Sequence, residues 1–99
     1  MRNAITLLQE WYAAQCNGDW EHSYGVKIDT LDNPGWILKV DLQETEWEDL
    51  SIPMVRTFVT DENWMQHEVA GSRYTACGDI GKLVPMIEQF IRIVWPDRM

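Results

Sequence analysis

The chain has 99 residues, 45% of them hydrophobic and 11% aromatic, with a formal charge of −8 from 16 Asp and Glu against 8 Lys and Arg. That length holds one core, and the apolar share excludes a disordered chain. The acidic excess repels phosphate backbones and anionic lipid, so nucleic acid and membrane surfaces are poor partners while basic proteins are favoured ones.

Residues 3–16 are predicted to form an amphipathic helix. Ile5, Leu8, Tyr12 and Cys16 follow helical spacing, and Leu7, Trp11 and Ala14 widen the apolar face. Asn3 is a suitable N-cap, and Asn17-Gly18 supplies a stop. Asp19-Trp20-Glu21-His22 reads as a short exposed link.

Residues 23–30 and 36–42 alternate with period two. Tyr24, Val26 and Ile28 share one face of the first run, and Trp36, Leu38, Val40 and Leu42 share one face of the second. Asp32-Asn33-Pro34-Gly35 between them is turn chemistry, so the pair predicts an antiparallel hairpin. Residues 43–49 form an acidic connection carrying Glu44, Glu46, Glu48 and Asp49 around Trp47. A third strand is predicted at 52–60, and a second hairpin at 64–69 and 73–77 across Ala70-Gly71-Ser72.

The last segment, 80–95, is predicted to be a helix burying Leu83, Ile87, Phe90, Ile91 and Val94, stopped by Pro96. Asp79 is a candidate cap. Pro85 fits only in a first turn, which moves the start toward Val84. The expectation is an α+β domain spanning 1–99: an N-terminal helix, about five antiparallel strands and a C-terminal helix packed on the sheet. Strand order is not readable.

Catalytic constellations are thin. Asp19, Glu21 and His22 lack the spacing of metal ligands, so no metal or other cofactor is expected. His67, between Met65 and Val69 on one strand face, reads as a half-buried core histidine. Cys77, at a strand end before a helix, is the one thiol whose setting suggests reactivity, giving an alternative reading as a small sulfurtransferase-like enzyme. No arginine closes that loop, and Asp79 would repel an anionic substrate. Two cysteines make neither a disulfide framework nor a four-thiolate zinc site. Arg2 is followed by no uninterrupted apolar stretch of signal-peptide type, and a cytoplasmic location is expected.

Six tryptophans in 99 residues are several times the usual share. Trp11, Trp36 and Trp95 fall on apolar stripes and read as core, whereas Trp20, Trp47 and Trp64 stand among polar residues. A tryptophan beside carboxylates suits a basic protein target, with apolar and cation–π contact at the centre and charge around it. Alternatively these rings cap the edges of the core. The candidate contact residues are Asp19, Trp20, Glu21, His22, Glu44, Glu46, Trp47, Glu48, Asp49 and Trp64.

The runs Leu7-Leu8-Gln9-Glu10-Trp11-Tyr12, Gln15-Cys16-Asn17-Gly18-Asp19-Trp20-Glu21-His22 and Ile28-Asp29-Thr30-Leu31-Asp32-Asn33-Pro34-Gly35-Trp36 resemble the polymorphic-toxin immunity proteins of the Immunity protein 53 family. Trp64, Gly78-Asp79 and the closing helix extend the likeness over nearly the whole chain. The resemblance implies a bacterial cytosolic protein encoded beside a toxin that it binds and neutralises, without catalysis. Such toxins are often nucleases with basic grooves, which an acidic surface complements. The chain itself is expected to be a monomer or a weak homodimer.

Overall fold

A computed structural model describes residues 3–99. The elements are α1 (Ala4–Gln15), α2 (Trp20–Ser23), β1 (Val26–Leu31), β2 (Gly35–Asp41), β3 (Ile52–Thr60), β4 (Asn63–Val69), β5 (Arg73–Gly78), α3 (Leu83–Val94) and a closing 3-10 turn, Pro96–Arg98. The five strands make one antiparallel sheet in the order β1-β2-β5-β4-β3. α3 packs on β2 and β5, and α1 packs on α3. The predicted α+β class is therefore the observed one.

α1 begins where predicted, with Asn3 Oδ1 accepting a 2.8 Å hydrogen bond from the Thr6 N–H. Its buried stripe is Ala4, Leu7, Leu8 and Trp11. The expected stripe through Ile5, Tyr12 and Ala14 is thus rotated: Ile5 and Tyr12 are partly in solvent and Ala14 is exposed, because Trp11 takes the central position against α3. The Trp11 ring meets Phe90 edge-on, with centroids 4.9 Å apart at 87°.

Residues 20–23, expected as a link and the start of a strand, instead form α2, and β1 begins only at Val26. Asn17 explains the difference. Its Oδ1 accepts hydrogen bonds from the Asp19 and Trp20 N–H groups, both at 2.9 Å, which starts a new helical turn. The β1–β2 hairpin then follows the predicted turn, with Leu31 opposite Gly35. Leu38, Val40 and Leu42 are fully buried as the alternation requires. A Cβ at Gly35 would collide with the Gly78 carbonyl, so this close approach of β2 to β5 requires glycine.

β4 and β5 are joined by Gly71 and Ser72, both at φ near +60°, with reciprocal hydrogen bonds between Ala70 and Arg73. Two consecutive positive φ values match the right-handed twist of a tight hairpin. Tyr74, Ala76 and Val69 point into the core. The predicted α3 stripe is observed: Ile87, Phe90, Ile91 and Val94 are buried together with Met86, and Leu83 packs partly against them. Pro85 is the third residue of α3, inside the first turn.

Asp79 makes no cap bond to α3. Its carboxylate accepts from the Trp64 N–H (2.8 Å), the Gly81 N–H (2.8 Å) and Lys82 Nζ (2.7 Å). It therefore ties the start of β4 to the turn preceding α3.

Candidate functional site

The two acidic segments, far apart in sequence, meet at one end of the molecule. The indole Nε1 of Trp20 in α2 donates a 2.8 Å hydrogen bond to the Gln43 carbonyl at the start of the 43–51 loop. Tyr24 Oη donates to Glu44 at 3.4 Å. Trp11 lies between the segments, with ring centroids 6.1 Å from Trp20 and 5.8 Å from Trp47. The loop is also latched from below. Ser72 Oγ donates to the Glu48 carbonyl at 2.8 Å, Thr45 Oγ1 donates to the Leu42 carbonyl at 2.7 Å, and Glu48 Oε1 accepts from the Glu44 N–H at 3.0 Å. Its carboxylates stand on a fixed frame.

The tryptophans of this end belong to the frame rather than to the surface. Trp20 is only 2% exposed, so of the two readings of that ring the structure has the one in which it caps the edge of the core. Trp47 is half-buried and packs against the core. Burial of a large ring outweighs the polarity of its sequence neighbours, which simply point outward. Glu21 is folded back over the preceding turn, accepting from the N–H groups of Asn17 (3.0 Å) and Gly18 (2.8 Å). Bonds from its own backbone N–H first, and from these two, hold its carboxyl below the usual carboxylate range. Asp19, His22, Glu44, Glu46, Glu48 and Asp49 are the exposed members.

Trp64 lies at the other end of the sheet. It is the second residue of β4, whereas Val69, at the end of that strand, adjoins the Ala70–Arg73 turn and so the acidic loop. Trp64 lines a shallow groove with Asn33, Arg56, Phe58, Asp61 and Gln66 on the sheet face away from the helices. By the strand registers this open face also carries Lys27, Lys39 and Arg73, among Asp29, Asp41 and Glu68. Half of the chain's eight Lys and Arg residues thus share a face with only four of its 16 carboxylates. Net negative charge is displaced to the ends, and hydropathy periodicity carried no sign of this partition.

The groups considered for chemistry sit in unreactive surroundings. Asp19, Glu21 and His22 do not converge, and among the described residues no three His, Cys, Asp or Glu side chains are grouped to hold a metal ion. His67 is buried as expected, stacked on Tyr74 with centroids 6.1 Å apart, and burial lowers its pKa. Cys77 lies within β5 opposite Ile37. Burial raises its thiol pKa, against a smaller lowering from Lys39, the reverse of the activation expected beside a helix N-terminus. Among the described residues no helix is long and apolar enough to cross a membrane.

A family model described as Immunity protein 53 matches residues 5–95. No curated protein and no solved structure matches the chain. The matched span runs from the first turn of α1 to the end of α3, and it includes both acidic segments.

Proposed function

The chain belongs to the Immunity protein 53 family, and from that premise we propose that it protects its cell by capturing a toxin with the acidic end of the domain. Asp19, Glu44, Glu46, Glu48 and Asp49, with His22 at the margin, make the contact surface. Trp20, Trp47 and Glu21 hold that surface in shape, and Trp64 stands apart from it. The toxin presents a basic site, as a nuclease groove does, and the carboxylates occlude it without any chemical step.

The observation that carries this reading is the junction of α2 with the 43–51 loop through Trp20 and Gln43. Carboxylates on an anchored backbone need no loop ordering on binding and steer a cationic partner from a distance. The test mixes the protein with the toxin encoded beside it and follows association against salt. A stable complex that forms more slowly as ionic strength rises is the expected result. Absence of binding, or binding indifferent to reversal of these charges, removes the reading.

A further inference from the structure

The sheet order leaves β3 with one hydrogen-bonding edge free. This strand is nine residues long and exposed from Pro53 to Thr60. Met54, Val55, Phe58 and Val59 are 48%, 49%, 51% and 64% exposed. Folded proteins blunt long apolar edges with charge, proline or bulges, because unpaired N–H and C=O groups template further strands. Here bulges interrupt the β3–β4 register on either side of Val55–Phe58. That central stretch remains regular, and Arg56 is its one charge.

We propose that β3 pairs with β3 of a second copy, antiparallel about a twofold axis at Thr57, joining two five-stranded sheets into one. Three features select this occupant and register. First, β3 contains no carboxylate in a chain that has 16, so the paired stretch brings no negative charges together, and Asp61 and Glu62 lie beyond its end. Second, directly opposed residues of an antiparallel pair must share a sheet face, which restricts the axis to a residue rather than a gap. An axis at Arg56 would oppose two guanidinium groups, an axis at Val55 would set Pro53, which has no N–H, into the new ladder, and an axis at Phe58 would pair only residues 56–60 before the strand ends, against 54–60 for Thr57.

Third, the axis at Thr57 is self-complementary. Arg56 falls opposite Phe58 of the second copy, both on the open face. Val55 falls alongside Val59 of the second copy. Within one chain the Arg56 guanidinium already lies 5.2 Å from the Phe58 ring centroid, so the side chains are placed to exchange this contact across the axis. The two acidic ends project in opposite directions from such a dimer, since β3 starts beside the 43–51 loop in each copy. Both stay open to toxin. A single paired edge buries less than the roughly 1,200 Å² of a standard interface, so the dimer is a weak, micromolar one.

The test is register-specific. In a Cys16→Ser, Cys77→Ser background, Thr57→Cys brings two thiols together at the axis, within the roughly 4.4–6.8 Å Cα separation that a disulfide spans. Val55→Cys leaves its thiols about four residues, roughly 13 Å, out of step. Mild oxidation is expected to give a covalent dimer from the first variant and not from the second. Light scattering on the unmodified protein should show mass rising from monomer to dimer with concentration. Phe58→Lys, on an exposed position and checked for folding by circular dichroism, opposes Arg56 and should weaken the dimer at least about tenfold. A monomer at all concentrations up to about 1 mM overturns the proposal, as does equal cross-linking of both cysteine variants or a dimer untouched by Phe58→Lys. A monomer whose toxin capture is lost with Phe58→Lys assigns the edge to the toxin instead.

Discussion

The Trp20 indole and the Gln43 backbone carbonyl, 23 positions apart, are joined by a 2.8 Å hydrogen bond that fastens α2 to the acidic loop. The donor is almost wholly buried, so losing it leaves a carbonyl short of its partner as well as a gap in the core.

Trp20→Phe is therefore expected to cost about 2–3 kcal/mol, combining the lost bond with lost packing. It should also speed hydrogen exchange in the 43–51 loop and slow toxin association, although no surface charge changes. Trp11→Phe is the comparison. Its indole N–H makes no hydrogen bond among the described residues, so it tests packing against Trp20 and Trp47 without loss of the tether and should speed loop exchange less than Trp20→Phe does. Equal loop exchange in the two variants would contradict the tether.

Reversal of exposed charge separates steering from scaffold. Glu46→Lys and Asp49→Lys should each reduce the toxin association rate several-fold at low salt, with the difference shrinking at high salt. Melting temperatures should hardly move, because both positions are exposed and isolated surface charges contribute little to stability. Stopped-flow association and thermal melts decide this together.

Acid should lower the stability of the domain in two steps whose signs follow from two groups. Burial depresses the His67 pKa below its ordinary 6.5, so the stability linked to its neutral form is complete above that value and declines as pH falls further. Asp79 is held at about 2, against an ordinary 3.8, first by Lys82 and then by the Trp64 N–H. Its contribution is complete above about pH 4 and is lost as pH falls through about 2. Asp79→Asn should flatten the lower stage of a stability–pH curve, and His67→Gln the upper one. A curve unchanged by either substitution would show that these groups do not govern acid unfolding.

Gly35→Ala should destabilise by about 1–3 kcal/mol, because the new methyl meets the Gly78 carbonyl of the adjacent strand, which cannot move aside without opening the β2–β5 ladder. In a domain of this size that lowers Tm by about 4–8 °C per kcal/mol. Gly25→Ala, where a Cβ would meet nothing within 4 Å, is the control and should be nearly silent.

Periodicity carried most of the fold. The β1–β2 hairpin, the β4–β5 hairpin and the buried stripe of α3 follow from alternation, turn residues and helical spacing, which are local properties. Strand order was hidden because the β2–β5 pairing joins residues distant in sequence, such as Trp36 and Gly78, and no local signal marks it. The burial of Trp20 was hidden for a related reason. Its polar neighbours describe the outer side of a four-residue helix, while its ring answers to Trp11 and Gln43, which lie elsewhere in the chain. The acidic segments were legible one by one as sequence. Their meeting depends on those same distant contacts.

The strand order divides the chain at the acidic loop. Everything up to that loop builds α1, α2 and the β1–β2 hairpin, and everything after it builds the β3-β4-β5 meander and α3. The halves meet along β2–β5 and α1–α3. The contacts within each half close short loops, whereas those between the halves close long ones, so docking of one half against the other is expected to be the slow event in folding. A chain cut in the loop between Leu50 and Ser51 should thus behave as two complementary pieces, and the surface proposed to meet the toxin is also the seam across which the two halves are joined.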